Sequence, residues 1–273
     1  MNYTLFHAVL QDCSQFVHQF FSFLSAEYGK LSGIHPKKGG AGVNYRHEWK
    51  YEISVADQMV IRRRLRAVAR ADPHTVDGVY HIRSLYFDTP EDKALREKID
   101  GVNRRDKFRI RYYNGDASLI HLEKKSKWNG LGSKESALLS VEEARSIVQG
   151  DWDWMPGADR PLVRELYRAM RGERLRPKTI VDYTREPYIY APGNVRVTFD
   201  YDIRTGLSCT DFLNPDCPTV PAKDLTARDA GKPFVLMEVK WDAFLPSIIR
   251  DAIRTPGRRV GAFSKYAQCR MYG

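Results

Sequence analysis

The chain has 273 residues and carries 44 Lys and Arg against 34 Asp and Glu, which gives a formal net charge of +10 at pH 7. This excess of cations favours an anionic partner, such as a phosphate compound, a nucleic acid or an anionic membrane surface. A hydrophobic content of 42% supports a packed core, and no stretch reaches about 18 uninterrupted apolar residues, so we expect no transmembrane helix. The four cysteines match no common zinc-binding spacing, and we expect a cytoplasmic protein.

Residues 1–31 predict an N-terminal helix, because apolar side chains recur on one helical face. Residues 32–44 interrupt that pattern with Pro36 and several glycines, which is typical of a linker. The main domain is therefore predicted to cover residues 45–273. The helix could pack on that domain, bind a partner or lie on a membrane, and its few charges argue against electrostatic membrane binding.

Short capping patterns predict the helices of the main domain. Ser54 and Asp57 have the spacing of an N-cap and the acid three residues later, and a basic helix follows them. A strand is predicted over Tyr80–Phe87, followed by a helix that Thr89 would cap with Pro90 as its first residue. Further helices are expected at residues 141–149, 161–171 and 245–254.

Charged side chains at every second residue mark six predicted strands. Because successive side chains of a strand point to opposite faces, each stretch places its charges on one face and its apolar residues on the other. Six such strands indicate an antiparallel sheet curled around a charged interior, which is unfavourable unless it holds a polyanion and a metal ion. The stretches are Arg46–Glu52, Lys107–Tyr113, His121–Lys127, Thr179–Arg185, Arg196–Arg204 and Leu236–Asp242.

The strand over residues 107–113 places three cations, Lys107, Arg109 and Arg111, on one face. Like charges so close together repel unless an anion lies between them or acids face them. Arginine also binds phosphate oxygens through two parallel hydrogen bonds, so we favour a phosphate site over a solvated strand face. The following strand adds His121, Glu123, Lys125 and Lys127 on a single face, and Lys134 comes after a turn.

Glu238 is an acid among these cations and stands two residues before Lys240. A neighbouring cation could neutralise it, or it could bind Mg²⁺ or Mn²⁺, which prefer carboxylate and phosphate oxygens. The residues alone leave both readings open. No P-loop sequence is present, so a nucleotide would be bound in another way.

Eight short motifs follow one another between residues 45 and 266. They are Arg46-x-Glu48-x-Lys50-Tyr51, Ser84-x-Tyr86-Phe87-Asp88-Thr89, Arg109-Ile110-Arg111-Tyr112, Leu122-Glu123-x-Lys125-x-Lys127, Tyr183-Thr184-Arg185, Arg196-x-Thr198-x-Asp200, Glu238-x-Lys240 and Ser264-Lys265-Tyr266. In this order and combination they resemble the VTC-type polyphosphate polymerase domain of the CYTH, or triphosphate tunnel metalloenzyme, superfamily.

The resemblance implies an α+β fold in which antiparallel strands form a closed β-barrel tunnel with helices packed outside. It also implies transfer of the γ-phosphate of ATP to a growing inorganic polyphosphate chain, with Mn²⁺ or Mg²⁺ bound by Glu238. The catalytic residues would be Lys50, Arg109, Arg111, Lys125, Arg185 and Lys265. The substrate-binding residues would be Arg46, Glu48, Glu123, Lys127, Lys134, Tyr183, Arg196, Asp200, Lys240 and Ser264.

Two alternative functions remain open. Hydrolytic members of the superfamily usually carry Glu-x-Glu-x-Lys in the first strand, where this chain has Arg46-x-Glu48-x-Lys50. This departure weakens, without excluding, a hydrolase of tripolyphosphate or nucleoside triphosphate. The second alternative is a non-catalytic polyphosphate- or nucleic-acid-binding protein, although acids that alternate with the cations argue against nucleic acid as a partner. Polymerases of this type often work beside membrane-spanning proteins, so a membrane-protein partner is a further expectation.

Overall fold

The computed structural model describes residues 46–129, 131–222 and 234–271. The predicted N-terminal helix over residues 1–31 and the predicted linker over residues 32–44 lie outside the described residues. The described strands are β1 (His47–Ser54), β2 (Arg70–Ala71), β3 (Tyr80–Asp88), β4 (Arg105–Tyr113), β5 (Asp116–Trp128), β6 (Leu131–Leu139), β7 (Arg176–Tyr190), β8 (Val195–Thr205), β9 (Val220–Pro221) and β10 (Phe234–Trp241). The described helices are α1 (Val55–Val68), α2 (Lys93–Ile99), α3 (Val141–Gln149), α4 (Pro161–Gly172), α5 (Ser247–Ala252) and α6 (Lys265–Met271).

One antiparallel sheet organises these elements. Its strands follow the order β1-β10-β8-β7-β3-β4-β5-β6, with the short β2 and β9 paired to β7 and β8. The sheet is strongly curled into a half-barrel. Among the described residues, its edge strands β1 and β6 are joined by a single isolated bridge between Arg46 and Gly132. The fold is therefore α+β as predicted, whereas a closed barrel is not shown.

Two apolar cores cover the convex face of the sheet. The first packs the outer side chains of β3, β4 and β5, such as Leu85 and Ile110, against α3 and α4. The second packs Phe199 and Met237 of β8 and β10 against α1 and α5. Burial of these alternate positions leaves the other side chains of the same strands on the concave face. The convex cores thus determine that the charged positions point inward.

The last helix, α6, departs from the expectation that all helices pack outside. Its Tyr266 and Cys269 pack against Ile82, Val181 and Ile203 on the concave side of the sheet. The sequence pattern predicts neither this helix nor strand β6. Because α6 has only seven residues, it is too short to show a clear apolar period.

The start of α2 corrects a second expectation. The helix begins at Lys93 rather than at Pro90. The carboxylate of Asp88 explains the shift, because it accepts hydrogen bonds from the backbone N–H groups of Thr89, Ala94 and Leu95 at 2.8, 2.8 and 3.1 Å. The side chain of Asp88 at the end of β3 thus satisfies N–H groups of the helix terminus together with Thr89, whose Oγ1 accepts a 3.2 Å hydrogen bond from the backbone N–H of Lys93.

Other predicted elements are confirmed. Ser54 and Asp57 form a reciprocal capping box at the start of α1. The strand predicted over Tyr80–Phe87 is β3, and the helices expected at residues 141–149 and 161–171 are α3 and α4. The helix expected at residues 245–254 is shorter, with α5 covering Ser247–Ala252.

We expect Asp88→Ala to lower the free energy of unfolding by at least about 3 kcal/mol, because it leaves several buried donors without an acceptor. These donors include the Tyr266 hydroxyl, which lies 2.5 Å from Asp88. Urea denaturation followed by circular dichroism measures the change. The matched control is Asp100→Ala at the exposed C-terminal end of α2, which should change stability by less than about 0.5 kcal/mol. Equal urea midpoints for both variants would contradict this role of Asp88.

Candidate functional site

A cavity of about 390 Å³ lies on the concave face, between the sheet and the segment at residues 260–265. Within the described residues of the chain, its walls contain ten lysine and arginine side chains but only two carboxylates, Glu48 and Glu238. The ten cations are Lys50, Lys98, Arg105, Lys107, Arg109, Lys125, Lys127, Arg185, Lys240 and Lys265.

The register of the sheet explains why these charges meet. In β4 and β5, Arg109 stands opposite Glu123 and Lys107 stands opposite Lys125. At the other end of the strand order, Lys50 of β1 pairs in register with Glu238 of β10. Curling brings these two distant ladders to one enclosed space. The alternation read from the sequence therefore produces a single charged surface.

Glu238 is almost fully buried and accepts several cations at once. The Nζ atoms of Lys240 and Lys265 lie 2.9 and 3.1 Å from its carboxylate oxygens. Lys50 Nζ and Arg185 Nη2 follow at 3.4 and 3.6 Å. Burial alone raises the pKa of Glu238, but the surrounding cations outweigh it and hold that pKa well below its usual value. Glu238 therefore stays ionised at neutral pH and holds the side chains of these four cationic residues in place.

Glu123 has the same role in the neighbouring ladder of β4 and β5. Its carboxylate accepts a 2.7 Å hydrogen bond from Arg109 Nε and a 3.0 Å bond from Lys134 Nζ, with Arg111 at 3.9 Å. The side chain is only 3% exposed. Burial raises the pKa of Glu123, while the charges of Arg109, Arg111 and Lys134 lower it further than burial raises it. The carboxylate therefore stays ionised and fixes the two arginines.

Hydroxyl groups complete the fixation of these arginines. Arg109 Nη1 donates to the Tyr86 hydroxyl at 2.8 Å, and Arg111 donates to Ser84 Oγ and to the Tyr183 hydroxyl at 2.9 Å each. The two guanidinium groups therefore keep one orientation. Such preorganised cations suit phosphate oxygens.

Asp200 is the third buried acid. Both of its oxygens accept hydrogen bonds from Arg185, at 2.7 Å each, and its carboxylate also contacts Lys265. Burial lowers the pKa of Lys265, but Asp200 and Glu238 raise it by more, so the ammonium stays charged. Since Lys265 belongs to α6, this ion pair attaches the last helix to the concave face of the sheet.

Lys125 and Lys107 are held less firmly. Lys125 contacts Glu48 at 3.5 Å, and its accessible surface faces the cavity. Withdrawal from water, opposed by Glu48 and reinforced by Lys50 and Lys240, lowers the pKa of Lys125 to about 7. Withdrawal from water and the charges of Arg105 and Lys98 lower the pKa of Lys107 to about 8. At neutral pH these two lysines would gain protons when an anion enters.

The structure brings most predicted site residues together. Arg111, Glu123 and Asp200 lie behind the cavity wall, and Lys134 reaches Glu123 from β6. Arg46 pairs with Asp242 at 2.7 Å. The predicted site residues that line the cavity are Lys50, Arg109, Lys125, Arg185, Lys265, Glu48, Lys127, Tyr183, Lys240, Ser264 and Glu238.

Arg196 also lies outside the cavity wall. Its Nη2 atom is 2.9 Å from an Asp72 oxygen. Burial raises the pKa of Asp72, and hydrogen bonds from His74 together with the charge of Arg196 bring it below its usual value. Arg196 and Arg46 therefore form ion pairs outside the cavity rather than lining it.

Three cations of the cavity are missing from the predicted site. Arg105 continues the alternation of Lys107 and Arg109 by one step towards the N-terminus, so extending the strand by two residues would have found it. Lys107 is recognised on that face by its spacing but is not assigned to the site. Lys98 lies on α2 and carries no sequence pattern, because only the tertiary fold brings that helix to the cavity.

Residues 45–272 match the model of the VTC domain family. The chain belongs to the VTC domain family. The resemblance inferred from the eight motifs is thereby confirmed, and the family indicates an activity related to nucleotides or polyphosphate. Among curated proteins, none matches this VTC domain.

Solved structures similar to the VTC domain are remote in sequence. One is a Bacillus halodurans protein described as a "putative adenylate cyclase", with 13% identity, a TM-score of 0.43, and coverage of 73% of this chain and 82% of that one. A second is the PH1819 protein of Pyrococcus horikoshii, with 13% identity, a TM-score of 0.35, and coverage of 76% and 84%. A Vibrio parahaemolyticus protein carries the same description as the first, with 8% identity, a TM-score of 0.37, and coverage of 72% and 76%.

The donor set of the VTC domain bears on metal binding. The described residues contain no group of three or more acids, histidines or cysteines arranged to hold a metal ion. Glu48 and Glu238 nevertheless line the cavity together. Mg²⁺ is commonly bound by one or two carboxylates plus phosphate oxygens of the substrate. These residues therefore fit a divalent ion that arrives with a phosphate chain, and not one held by protein side chains alone. In the described ranges of the chain, no helix is long and apolar enough to cross a membrane.

We expect Glu123→Gln to lower the free energy of unfolding by about 3–5 kcal/mol, because it leaves two buried arginines without a compensating charge. Chemical denaturation measures the loss. Glu173→Gln is the control, since Glu173 forms an exposed pair with Lys93 and its loss should change stability by less than about 1 kcal/mol. Indistinguishable midpoints for the two variants would show that Glu123 does not organise the site.

Proposed function

We propose that the cavity binds the triphosphate of ATP and that the protein transfers the γ-phosphate to inorganic polyphosphate. The observation that carries this proposal is the convergence of ten cations on one cavity whose walls, within the described residues, hold two carboxylates. Buried carboxylates hold many of these cations in place, but the wall keeps an excess of positive charge that an anion with several charges would offset. A phosphate chain matches it because each unit of the chain carries negative charge and presents oxygens in several directions.

The proposed reaction requires positioning and charge neutralisation rather than covalent help. A terminal oxygen of the acceptor chain forms a bond to the γ-phosphorus of ATP. The bond between that phosphorus and the oxygen bridging to the β-phosphate breaks, and ADP leaves with the electron pair on its oxygen. The acceptor terminus is already anionic at pH 7, so no strong general base is needed. Fixed cations then stabilise the charge on the transferred group.

Individual residues take distinct roles in this proposal. Arg109 and Arg185 present fixed guanidinium groups to the donor phosphates, and Lys50 and Lys265 add ammonium groups beside Glu238. Arg111 lies behind the cavity wall and donates a hydrogen bond to the hydroxyl of Tyr183, which lines the cavity. It therefore acts on the donor site mainly by positioning. Lys125, Lys127 and Lys240 complete the cationic wall.

The metal ion belongs to the same proposal. Glu238, with Glu48 beside it, would bind Mn²⁺ or Mg²⁺ together with phosphate oxygens, and the ion would neutralise charge on the bound triphosphate. In the ligand-free protein, Lys240 Nζ lies 2.9 Å from Glu238 Oε2 and forms an ion pair with it.

We also propose a closed tunnel, a set of partners and a cellular location for the protein. Completion of the ladder between β1 and β6 would convert the half-barrel into the closed tunnel. ATP and polyphosphate are the proposed partners, a membrane protein is a further candidate, and a cytoplasmic location fits the supply of ATP. A triphosphate hydrolase would use the same cavity, and the product of the reaction distinguishes it from a polymerase.

Incubation of the protein with ATP and Mn²⁺, resolved on a gel that separates polyphosphates, tests the proposal. We expect long polymer together with ADP. Lys125→Ala should reduce the rate by about tenfold or more, since one charged hydrogen bond contributes about 1.5–3 kcal/mol. The matched control is Lys124→Ala, because Lys124 is the next residue of β5 but pairs with Glu165 on the opposite face.

Orthophosphate without polymer would favour the hydrolase. Equal polymer yields from the Lys125 and Lys124 variants would show that the cavity takes no part in the reaction. Arg109→Ala is a poorer test, because loss of that arginine also leaves the buried Glu123 carboxylate undercompensated.

We expect binding of inorganic tripolyphosphate to take up protons near neutral pH. The pKa of Lys125 is lowered to about 7 and that of Lys107 to about 8 in the free protein, and a bound phosphate raises both. The lysine contribution to affinity is therefore complete well below pH 7, declines as the pH rises above the free-state pKa values, and is lost once the pH passes the raised pKa values of the bound state. Calorimetry in buffers of different ionisation enthalpy measures the uptake.

The control for proton uptake is a comparison between variants, because the ligand itself also titrates. The double variant Lys107→Ala/Lys125→Ala should take up fewer protons than wild type, and Lys124→Ala should match wild type. Identical uptake in all three proteins would show that the two cavity lysines are fully charged before the ligand binds.

A further inference from the structure

Helix α1 carries the basic segment of the sequence, and the cavity does not use it. Its buried side chains Ile61 and Leu65 belong to the convex core that contains Met237. The cavity lies on the other side of the same sheet. The side of α1 opposite its buried residues, which we call the α1 outer face, therefore points away from both the sheet and the cavity.

The α1 outer face consists of two rows of side chains, each with a spacing of four residues. Side chains at this spacing are neighbours on a helix. One row is Val55, Met59 and Arg63, and the other is Ala56, Val60 and Arg64. All six residues are exposed, and the large apolar side chains of Met59 and Val60 are 62% and 51% exposed. The face thus begins with apolar side chains and continues with arginines.

The segment that follows α5 runs beside this face. Arg64 Nη1 donates to the carbonyl oxygen of Arg254 at 2.9 Å, and Arg258 Nε donates to an Asp57 oxygen at 3.0 Å. Because Asp57 lies in the first turn of α1 and Arg64 near its end, these two contacts align the segment along the helix. Arginines of the segment therefore extend the cationic part of the surface.

The charges of this surface are strongly unbalanced. Residues 55–70 and 247–260 together contain nine arginines and two aspartates, with no lysine and no glutamate. Among the described residues, Arg63, Arg64 and Arg66 have no carboxylate within ion-pair distance. Their charges are therefore available to an anionic partner.

A lipid surface fits this arrangement better than a nucleic acid does. Surfaces that bind single-stranded nucleic acids add aromatic side chains on which the bases stack, whereas the exposed apolar side chains of the α1 outer face are valine, alanine and methionine. Such side chains enter the boundary between lipid headgroups and acyl chains when a helix lies flat on a bilayer, and long basic side chains reach the headgroups beside them. Each arginine near an anionic leaflet adds further attraction.

We propose that the α1 outer face, together with the arginines of residues 254–259, binds an anionic lipid surface. Met59 and Val60 enter the headgroup boundary, and Arg63 and Arg64 bind lipid phosphates and carboxylates. The cavity lies on the opposite face of the sheet, so its ligand reaches it while the protein is on the bilayer. This binding does not depend on the proposed reaction.

Sedimentation of the full chain with sucrose-loaded vesicles tests the proposal. We expect binding to vesicles of phosphatidylcholine mixed with phosphatidylserine, and no binding to vesicles of phosphatidylcholine alone. Arg63→Gln/Arg64→Gln should bind the mixed vesicles at least about tenfold more weakly, because each arginine near the leaflet strengthens binding about fivefold. Met59→Ser/Val60→Ser keeps the net charge and should bind at least about fivefold more weakly, because less apolar surface is buried.

Two control variants separate the α1 outer face from net charge. Arg168→Gln/Arg171→Gln removes the same charge from exposed positions of α4, which packs on the other convex core, and it should bind like wild type. Arg63→Lys/Arg64→Lys keeps the charge of α1 and should also bind like wild type. Circular dichroism of every variant checks that the fold is retained.

The proposal is overturned if wild type and the two α1 variants bind the mixed vesicles equally. It is also overturned if the α4 control loses as much affinity as Arg63→Gln/Arg64→Gln, because net charge alone would then account for the binding. If wild type binds polyglutamate or random-sequence RNA but no vesicles, an acidic protein or a nucleic acid is the partner instead. Polymer synthesis from ATP is measured without vesicles, so failure of the proposed function and failure of membrane binding are distinguished.

Discussion

Buried carboxylates hold the cations of the concave face in position, and the site depends on this pairing. Glu123, Asp200 and Glu238 each accept two or more cations at short distance. Without them, neighbouring arginines and lysines on adjacent strands would repel one another and turn away. With them, the charges are fixed before any ligand arrives, and the cavity wall still carries an excess of positive charge. The energetic penalty of bringing these cations together is therefore met during folding.

Stability alone does not explain such a network. Replacing a buried ion pair by well-packed apolar residues is often neutral or stabilising, because desolvation offsets most of the attraction. The convex face of the same strands achieves its packing with ordinary apolar side chains such as Leu85, Phe199 and Met237. Charged side chains also occur on the convex face, where Lys124 pairs with Glu165. The convergence of ten cations on one cavity is found on the concave face, and apolar packing does not require it.

Irregularities in the strands help to shape the cavity. Register shifts occur between β3 and β7 at Tyr86 and Phe87, and between β7 and β8 at Asp182 and Thr184. Such bulges bend a strand and increase its local twist. After the bulge in β8, Ile203 points to the concave side, where it packs against α6. The ion pairs of Lys265 with Asp200 and Glu238 then join this apolar contact to the charged site.

The sequence by itself determined the six charge-alternating strands, their two faces and the family, because strict alternation of charged and apolar residues separates the two kinds of side chain onto opposite faces of an extended chain. Glu123, Arg109 and Lys125 could be assigned to the site for that reason. The same reasoning did not reveal β6, whose sequence lacks this alternation. Sequence could not supply Lys98, which reaches the cavity from a helix, or exclude Arg46 and Arg196, which alternate like the others but pair with acids outside the wall. The half-barrel and the inward position of α6 were likewise decided by the tertiary structure. Local periodicity fixes which way a side chain points from its own strand, whereas the curvature of the whole sheet decides which of those side chains meet.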